Sequence, residues 1–94
     1  MLKIERVKGY DRQLKRMLKK HYRLADYNVA IRALASQDAE TLKRLKDHAL
    51  VGDKQGYREL HIDKAGKWLL EYTIDDDVLI LILIATGSHD ELYK

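Results

Sequence analysis

Three of the four histidines lie in the second half of the chain, each beside a predicted strand or turn: His48, His61 and His89. An imidazole has an ordinary pKa of about 6.5, so it can give or take a proton near neutral pH. The chain has no cysteine, which excludes thiolate nucleophiles, thiolate metal sites and disulfides. Histidines that meet at the rim of one small sheet in a basic protein favour proton-transfer chemistry on an anionic polymer.

The positive charge is concentrated at the start of the chain. Residues 1–23 contain nine Lys or Arg against two acidic residues, whereas the whole chain has a net charge of only +3. This distribution favours a polyanionic partner, either nucleic acid or an acidic protein. The alternative is a charged helix face that serves only solubility.

The length of 94 residues predicts a single domain over 1–94. The longest apolar run, Val78–Ala85, is far shorter than the roughly 20 residues of a membrane-spanning helix. Residues 2–7 alternate and carry charge, unlike a signal peptide. We therefore expect a soluble, cytoplasmic protein without membrane contact.

The first half is predicted to be mostly helical. Residues 2–7 alternate weakly and predict a short strand. Helical spacing of apolar residues predicts a helix from Asp11, its N-cap, to about residue 22, and a second helix over Ala25–Ala35. Asp38 is predicted to cap a short third helix.

The second half predicts three strands, over residues 57–63, 68–74 and 78–85, joined by short polar turns. The last is apolar throughout, which is typical of a central strand covered on both faces. Ser88 is predicted to cap a final helical turn. The order β-α-α-(α)-β-β-β predicts an α+β fold with helices packed on one face of a small, largely antiparallel sheet.

Alternation along the 57–63 strand separates its residues onto two faces. Leu60 must pack on the helices, so His61 is predicted to face the open side, where substrate would lie. Glu59 shares that side and can orient an imidazole or raise its pKa. Arg58 points with the core-facing set, so a phosphate contact from it requires a bulge or a strand edge.

Four motifs follow one another in the second half of the chain. They are Asp47-His48-Ala49-Leu50, Gly56-Tyr57-Arg58-Glu59-Leu60-His61-Ile62, Trp68-Leu69-Leu70-Glu71-Tyr72, and Thr86-Gly87-Ser88-His89 followed by Leu92-Tyr93. In this order and spacing they resemble the YafQ branch of the RelE toxins. The helical first half agrees in layout and basicity but carries no signature.

The resemblance implies a RelE-like fold and a bacterial type II toxin that enters the ribosomal A site and cuts mRNA there without metal or other cofactor. It also implies inhibition by a cognate antitoxin of the DinJ or RelB type. By position, His48, His61 and His89 match the family's catalytic histidines, and Tyr93 matches a C-terminal aromatic that is usually Phe. The basic segment Arg12–Arg23 is then a candidate for contacts with rRNA.

The sequence departs from the family pattern at two positions. An acidic residue often precedes the Trp in the family, whereas Lys67 stands there in this chain, in a hairpin about two residues longer. An Arg commonly precedes the Thr-Gly pair, where this chain has Ala85. Either these roles pass to Asp63 or Lys67, or the chain cleaves more slowly than its relatives.

Metal-free RNA cleavage requires a base for the 2′-OH proton, an acid for the leaving 5′ oxygen, and donors for the phosphate charge. We hypothesise that His61 or His48 is the base and His89 the acid. Trp68 or Tyr93 is a candidate for stacking on a nucleotide base, with a core position as the alternative for Trp68. The candidates for substrate binding are Arg58, Glu59, Lys67, Trp68 and Tyr93.

Two other functions stay open. Three histidines with a carboxylate can form a zinc-binding module, although no element carries a tight His-x₃-His spacing. A non-catalytic or weakly active RNA- or ribosome-binding member of the same fold is the second alternative, and Lys67 and Ala85 favour it.

Overall fold

The computed structural model describes residues 1–93 of the chain. These residues form a five-stranded sheet and four α-helices, with a 3₁₀ turn at Gly52–Lys54. In chain order the elements are β1 (Lys3–Arg6), α1 (Tyr10–Lys19), α2 (Leu24–Ser36), α3 (Ala39–Arg44), β2 (His48–Ala49), β3 (Arg58–His61), β4 (Leu69–Asp75), β5 (Ile80–Gly87) and α4 (His89–Tyr93).

The strands lie in the order β1-β5-β4-β3-β2. Strand β1 runs parallel to β5, and the other three pairs are antiparallel. The predicted α+β class is confirmed. The sheet is mixed because the first strand pairs in parallel with the last, whereas the other pairs are antiparallel. Within residues 1–93, no helix has both the length and the apolar character needed to cross a membrane.

The core lies between the sheet and the helices α1 and α2. Its largest side chain, Trp68, is completely buried, and its ring centroid is 5.4 Å from that of Tyr22 and 5.8 Å from that of Tyr27. The indole Nε1–H donates a hydrogen bond of 2.8 Å to Thr86 Oγ1, which satisfies its polar atom. The core alternative for Trp68 therefore holds, and the residue cannot stack on a nucleotide base.

Helix α1 differs from the prediction at both ends. It begins at Tyr10 after Gly9, whose φ of +91° is easy for glycine, so Asp11 is not the N-cap. Asp11 lies in the first turn instead, 3.1 Å from Arg6 Nε. The helix stops three residues early because His21 adopts a left-handed φ of +71°.

The next two helices follow the sequence closely. Helix α2 begins and ends one residue outside the predicted range. Asp38 caps α3 as predicted, since its carboxylate accepts a hydrogen bond of 3.3 Å from the backbone N–H of Thr41. The Asp38 cap locates α3 from sequence, whereas α2 has no side-chain cap and is located by the helical spacing of its apolar residues.

Strand β5 has the predicted length but is shifted by two residues along the chain, and one of its faces is more exposed than predicted. Val78 and Leu79 belong to the preceding turn, where Leu79 has a φ of +56°, and both side chains are exposed. Leu81 and Leu83 point into the core, whereas Ile82 on the other face is only half-buried. Strand β5 is an interior strand of the sheet, paired with β1 and β4, as predicted, but the predicted cover on both of its faces is wrong.

The β3–β4 connection is longer than predicted, because β3 ends at His61 and β4 begins at Leu69. Asp63 organises this loop: its Oδ1 accepts hydrogen bonds of 2.8 Å and 2.9 Å from the backbone N–H groups of Lys67 and Trp68. This carboxylate oxygen is committed to the loop backbone.

Side chains fix the short helix α4 at the end of β5. Ser88 Oγ accepts from the N–H of Glu91, and Glu91 Oε1 accepts from the N–H of Ser88, which forms a reciprocal capping box. The predicted Ser88 cap is confirmed. Glu91 also contacts Arg16 at 3.1 Å and Lys20 at 3.3 Å. The Ser88 N–H and these two cations lower the pKa of Glu91 to about 2.

Glu91→Gln is expected to lower the free energy of unfolding by about 1–2 kcal/mol at pH 7, because the charge that binds Arg16 and Lys20 is lost. The folded-state pKa lies below the ordinary 4.5, so the charged carboxylate contributes fully above pH 4.5. This contribution is lost as the pH falls from 4.5 to about 2. Urea unfolding of both proteins between pH 7 and pH 3 measures the difference; a gap independent of pH would contradict the prediction.

Candidate active site

The strand register places the histidines on the sheet face opposite the core. Leu60 is completely buried in the core, so its neighbours Glu59 and His61 point to the other face. Glu59 lies opposite His48 on one side and opposite Glu71 on the other. The prediction that His61 faces the open side of the sheet, away from the core, is therefore confirmed, and His48 shares that side.

His48 and His61 are neighbours. Their ring centroids are 6.2 Å apart and the rings are nearly perpendicular. His48 Nδ1 lies 2.7 Å from the carbonyl oxygen of Lys46, and since a carbonyl can only accept, Nδ1 carries the proton. His48 Nε2 lies 3.5 Å from Glu59 Oε1. Both nitrogens of this ring thus face acceptors.

Tyr93 connects His89 to this pair. Its hydroxyl donates a hydrogen bond to Glu59 Oε2, the second oxygen of the carboxylate that contacts His48. Its ring stacks on His89 with 4.8 Å between centroids. Burial and the Glu59 carboxylate raise the pKa of Tyr93, so the hydroxyl stays a donor at physiological pH. Glu59 and Tyr93 therefore link His48 to His89, and His61 lies beside His48.

Lys54 is a residue of this site that the sequence did not indicate. Its Nζ lies 2.6 Å from Glu71 Oε2, 3.2 Å from the carbonyl oxygen of Leu92, and 4.0 Å above the centroid of the Tyr93 ring. Ala85 lies directly across from Glu71 in the sheet. A cation from the 3₁₀ turn thus stands beside this buried carboxylate, in the region where the family pattern has an Arg.

Arg58 points to the core side at the edge of the sheet, as its parity predicts. Its Nη2 lies 2.9 Å from Asp47 Oδ2, and the hydroxyl of Tyr72 donates to the same carboxylate. The Asp47 hydrogen bond raises the pKa of Arg58. The side chain is 43% exposed, but its guanidinium is paired with the Asp47 carboxylate, which competes with the predicted phosphate contact.

The remaining predicted binding residues have different surroundings. Glu59 is 5% exposed and bonded on both oxygens, so it positions His48 and Tyr93 and has little surface for RNA. Lys67 is exposed in the β3–β4 loop, and Tyr93 is 40% exposed. Among residues 1–93, no three His, Asp or Glu side chains converge as metal ligands, so the zinc alternative has no ligand set there.

Gly66 leaves room for the ring of His61. A Cβ at this position would lie 3.0 Å from His61 Nδ1, and the glycine has a φ of +72°. Gly66→Ala is therefore expected to displace the imidazole by a few tenths of an ångström and to lower the mRNA cleavage that the family resemblance implies about threefold, since a displacement of about 1 Å costs roughly 10²-fold. Single-turnover cleavage assays measure this effect. Gly9→Ala, at a φ of +91° before α1 and likewise without neighbours within 4 Å, is the matched control; equal losses in both variants would contradict the prediction.

Comparison with known proteins agrees with this geometry. Residues 2–94 match the family described as bacterial toxin of type II toxin-antitoxin system, YafQ. The chain belongs to the YafQ toxin family. A metal-bound toxin from Helicobacter pylori is 34% identical over 99% of this chain and 100% of its own, with a TM-score of 0.84. YafQ from E. coli strain BL21(DE3) is 23% identical with full coverage of both chains and a TM-score of 0.86.

The E. coli DinJ–YafQ complex contains another similar chain, 26% identical with full coverage of both chains and a TM-score of 0.84. No match was found among curated protein sequences. Membership of the YafQ family makes this chain a type II toxin, and the sequence resemblance to the YafQ branch is confirmed over both halves.

Proposed function

We propose that this YafQ-family toxin is an endoribonuclease that cleaves mRNA in the ribosomal A site by acid–base catalysis with His48, His61 and His89. The observation that carries the proposal is the linkage of His48 to His89 through Glu59 and Tyr93, with His61 beside His48. Such groups can move protons on both sides of one phosphodiester, and each contributes about 10²–10⁴-fold.

The surroundings of each ring suggest a division of roles. His61 has no carboxylate contact among the described residues and serves as the base that takes the 2′-OH proton. His48 faces acceptors at both nitrogens, which suits a cationic ring that stabilises the phosphate charge. His89 is exposed on α4 and donates the proton to the leaving 5′ oxygen.

The basic segment Arg12–Arg23 supports a ribosomal substrate. Arg12, Lys15 and Lys19 are exposed, while Arg16 and Lys20 bind Glu91 of α4. Contacts between the exposed cations and rRNA would bring mRNA to the histidines and make binding sensitive to salt. A ribosomal substrate places the toxin in the cytoplasm, with an antitoxin of the DinJ or RelB type as its inhibitor.

Primer extension on mRNA tests this function. The purified toxin is added to a translation reaction, to the same reaction without ribosomes, and to free RNA. We expect new 3′ ends in frame with codons only where ribosomes translate, and their loss in the triple variant in which all three histidines become alanine. Ribosome binding without cleavage would instead identify a non-catalytic member of the fold.

A further inference from the structure

A groove of about 1060 Å³ adjoins the histidine site. It lies between the exposed side of α2 near Val29, the segment from Arg44 to Lys46, and residues 63–66 of the β3–β4 loop. His48 and His61 belong to its lining, so the groove is continuous with the candidate active site. The backbone N–H of His61 donates a hydrogen bond of 2.8 Å to the carbonyl of Leu45, which joins the groove wall at the end of β3 to the wall that follows α3.

The charges of the groove suit a phosphate. Arg44, Lys46 and Lys64 contribute to its lining, and none of them forms an ion pair with another residue of the described 1–93 segment. The lining also contains two carboxylates, Asp26 and Asp63, and Asp63 Oδ1 is hydrogen-bonded to the loop backbone. In the candidate site next to the groove, Lys54 is paired with Glu71. We therefore expect a substrate phosphate that lies beyond the histidines to contact the cations of the groove rather than the sheet face.

The walls of the groove suit a nucleobase. Val29 is 46% exposed, and Leu45 and Ala65 extend the apolar surface beside it. Flipped or unstacked bases bind between apolar side chains, with polar groups at their edges. Asp26 lines the same groove and can accept from the amino or imino group of a base. The combination of cations, apolar walls and a carboxylate fits a nucleotide better than it fits an acidic or a purely apolar peptide.

We propose that this groove binds the nucleotide that flanks the cleaved phosphodiester, with its phosphate on Arg44, Lys46 and Lys64 and its base against Val29 and Ala65. The inference rests on the proposed ribonuclease function and names a substrate subsite for it. Residues of α2 and residues 44–46, which carry none of the family motifs, then determine base preference at one position of the codon.

Titration with a fully 2′-O-methylated RNA trinucleotide, followed by backbone amide NMR, tests the subsite, because this probe cannot be cleaved. We expect saturable shifts at the amides of Val29, Ala65 and Gly66. Arg44→Glu is expected to raise the dissociation constant at least tenfold, the size typical of losing a charge-assisted hydrogen bond. Lys43→Glu, in the same last turn of α3 but outside the groove lining, is the matched control and should change it less than about twofold.

Cleavage of translated mRNA by the same variants separates the two proposals. Two results together support both the nuclease function and the subsite. The RNA shifts the amide signals of the groove while the wild-type toxin cleaves mRNA, and Val29→Glu redistributes the cleavage sites among codons. Cleavage without groove shifts, or equal affinities of Arg44→Glu and Lys43→Glu, would overturn the subsite alone. Groove shifts without any cleavage would overturn the nuclease function and keep the groove as an RNA site. Loss of antitoxin affinity in Val29→Glu with unchanged RNA affinity would assign the groove to a protein and overturn the inference.

Discussion

His61→Ala is expected to lower the single-turnover rate constant of mRNA cleavage on programmed ribosomes by about 10²–10⁴-fold. The residue lies beside His48 on the open side of the sheet and is not part of the hydrophobic core. Its replacement therefore removes the proposed general base and leaves the core packing unchanged. The free energy of unfolding should change by less than about 1 kcal/mol, since the side chain is only half-buried. The rate is measured with excess toxin over ribosomes, so that product release does not contribute.

Chemical rescue gives the control for this prediction. Free imidazole should restore part of the cleavage by His61→Ala in proportion to its unprotonated concentration, because a small base can enter the space left by the ring. A purely structural role for His61 predicts no such recovery. Wild-type rates in His61→Ala and in His89→Ala would refute the assignment of both residues.

Trp68→Ala is expected to lower the free energy of unfolding by about 3–5 kcal/mol, a large part of the total for a small domain. The indole is completely buried between two tyrosines, so its removal leaves a cavity that the sheet cannot close. Thr86 Oγ1 also loses its donor. Urea unfolding monitored by far-ultraviolet circular dichroism measures the loss.

Trp68→Phe separates packing from RNA contact. It keeps an aromatic ring in the core and should cost only about 1–2 kcal/mol, with mRNA cleavage close to wild type at low temperature. A stable Trp68→Phe protein that has lost cleavage would show that the indole acts on RNA after all.

Local signals made much of the fold predictable. Asp38 and Ser88 are cap residues followed at the right distance by Thr41 and Glu91, and both helices start where these residues predict. Hydrophobicity misled at Val78 and Leu79, because an apolar residue can occupy an exposed turn when the backbone must reverse there. The two-residue strand β2 is too short to show any period, so only its pairing with β3 reveals it.

Strand parity and motif order predicted which residues of the candidate site lie together, but they did not predict the contacts between distant residues. Strand parity indicated that Glu59 and His61 share a face, and the family motifs indicated that His89 joins them. The contacts of Lys54 depend on residues 17 and 38 positions away, which no local pattern encodes. The two roles open to Trp68 differ only in burial, and burial depends on how the helices pack over the sheet.

The five residues of α4 are too few to be helical by themselves. Its shape depends on three contacts: Ser88 caps its first turn, Glu91 pairs with Arg16 of α1, and Lys54 of the 3₁₀ turn donates to the carbonyl of Leu92. Fraying of this terminus separates His89 from its partners without melting the sheet. Warming should therefore lower the proposed mRNA cleavage before the sheet unfolds.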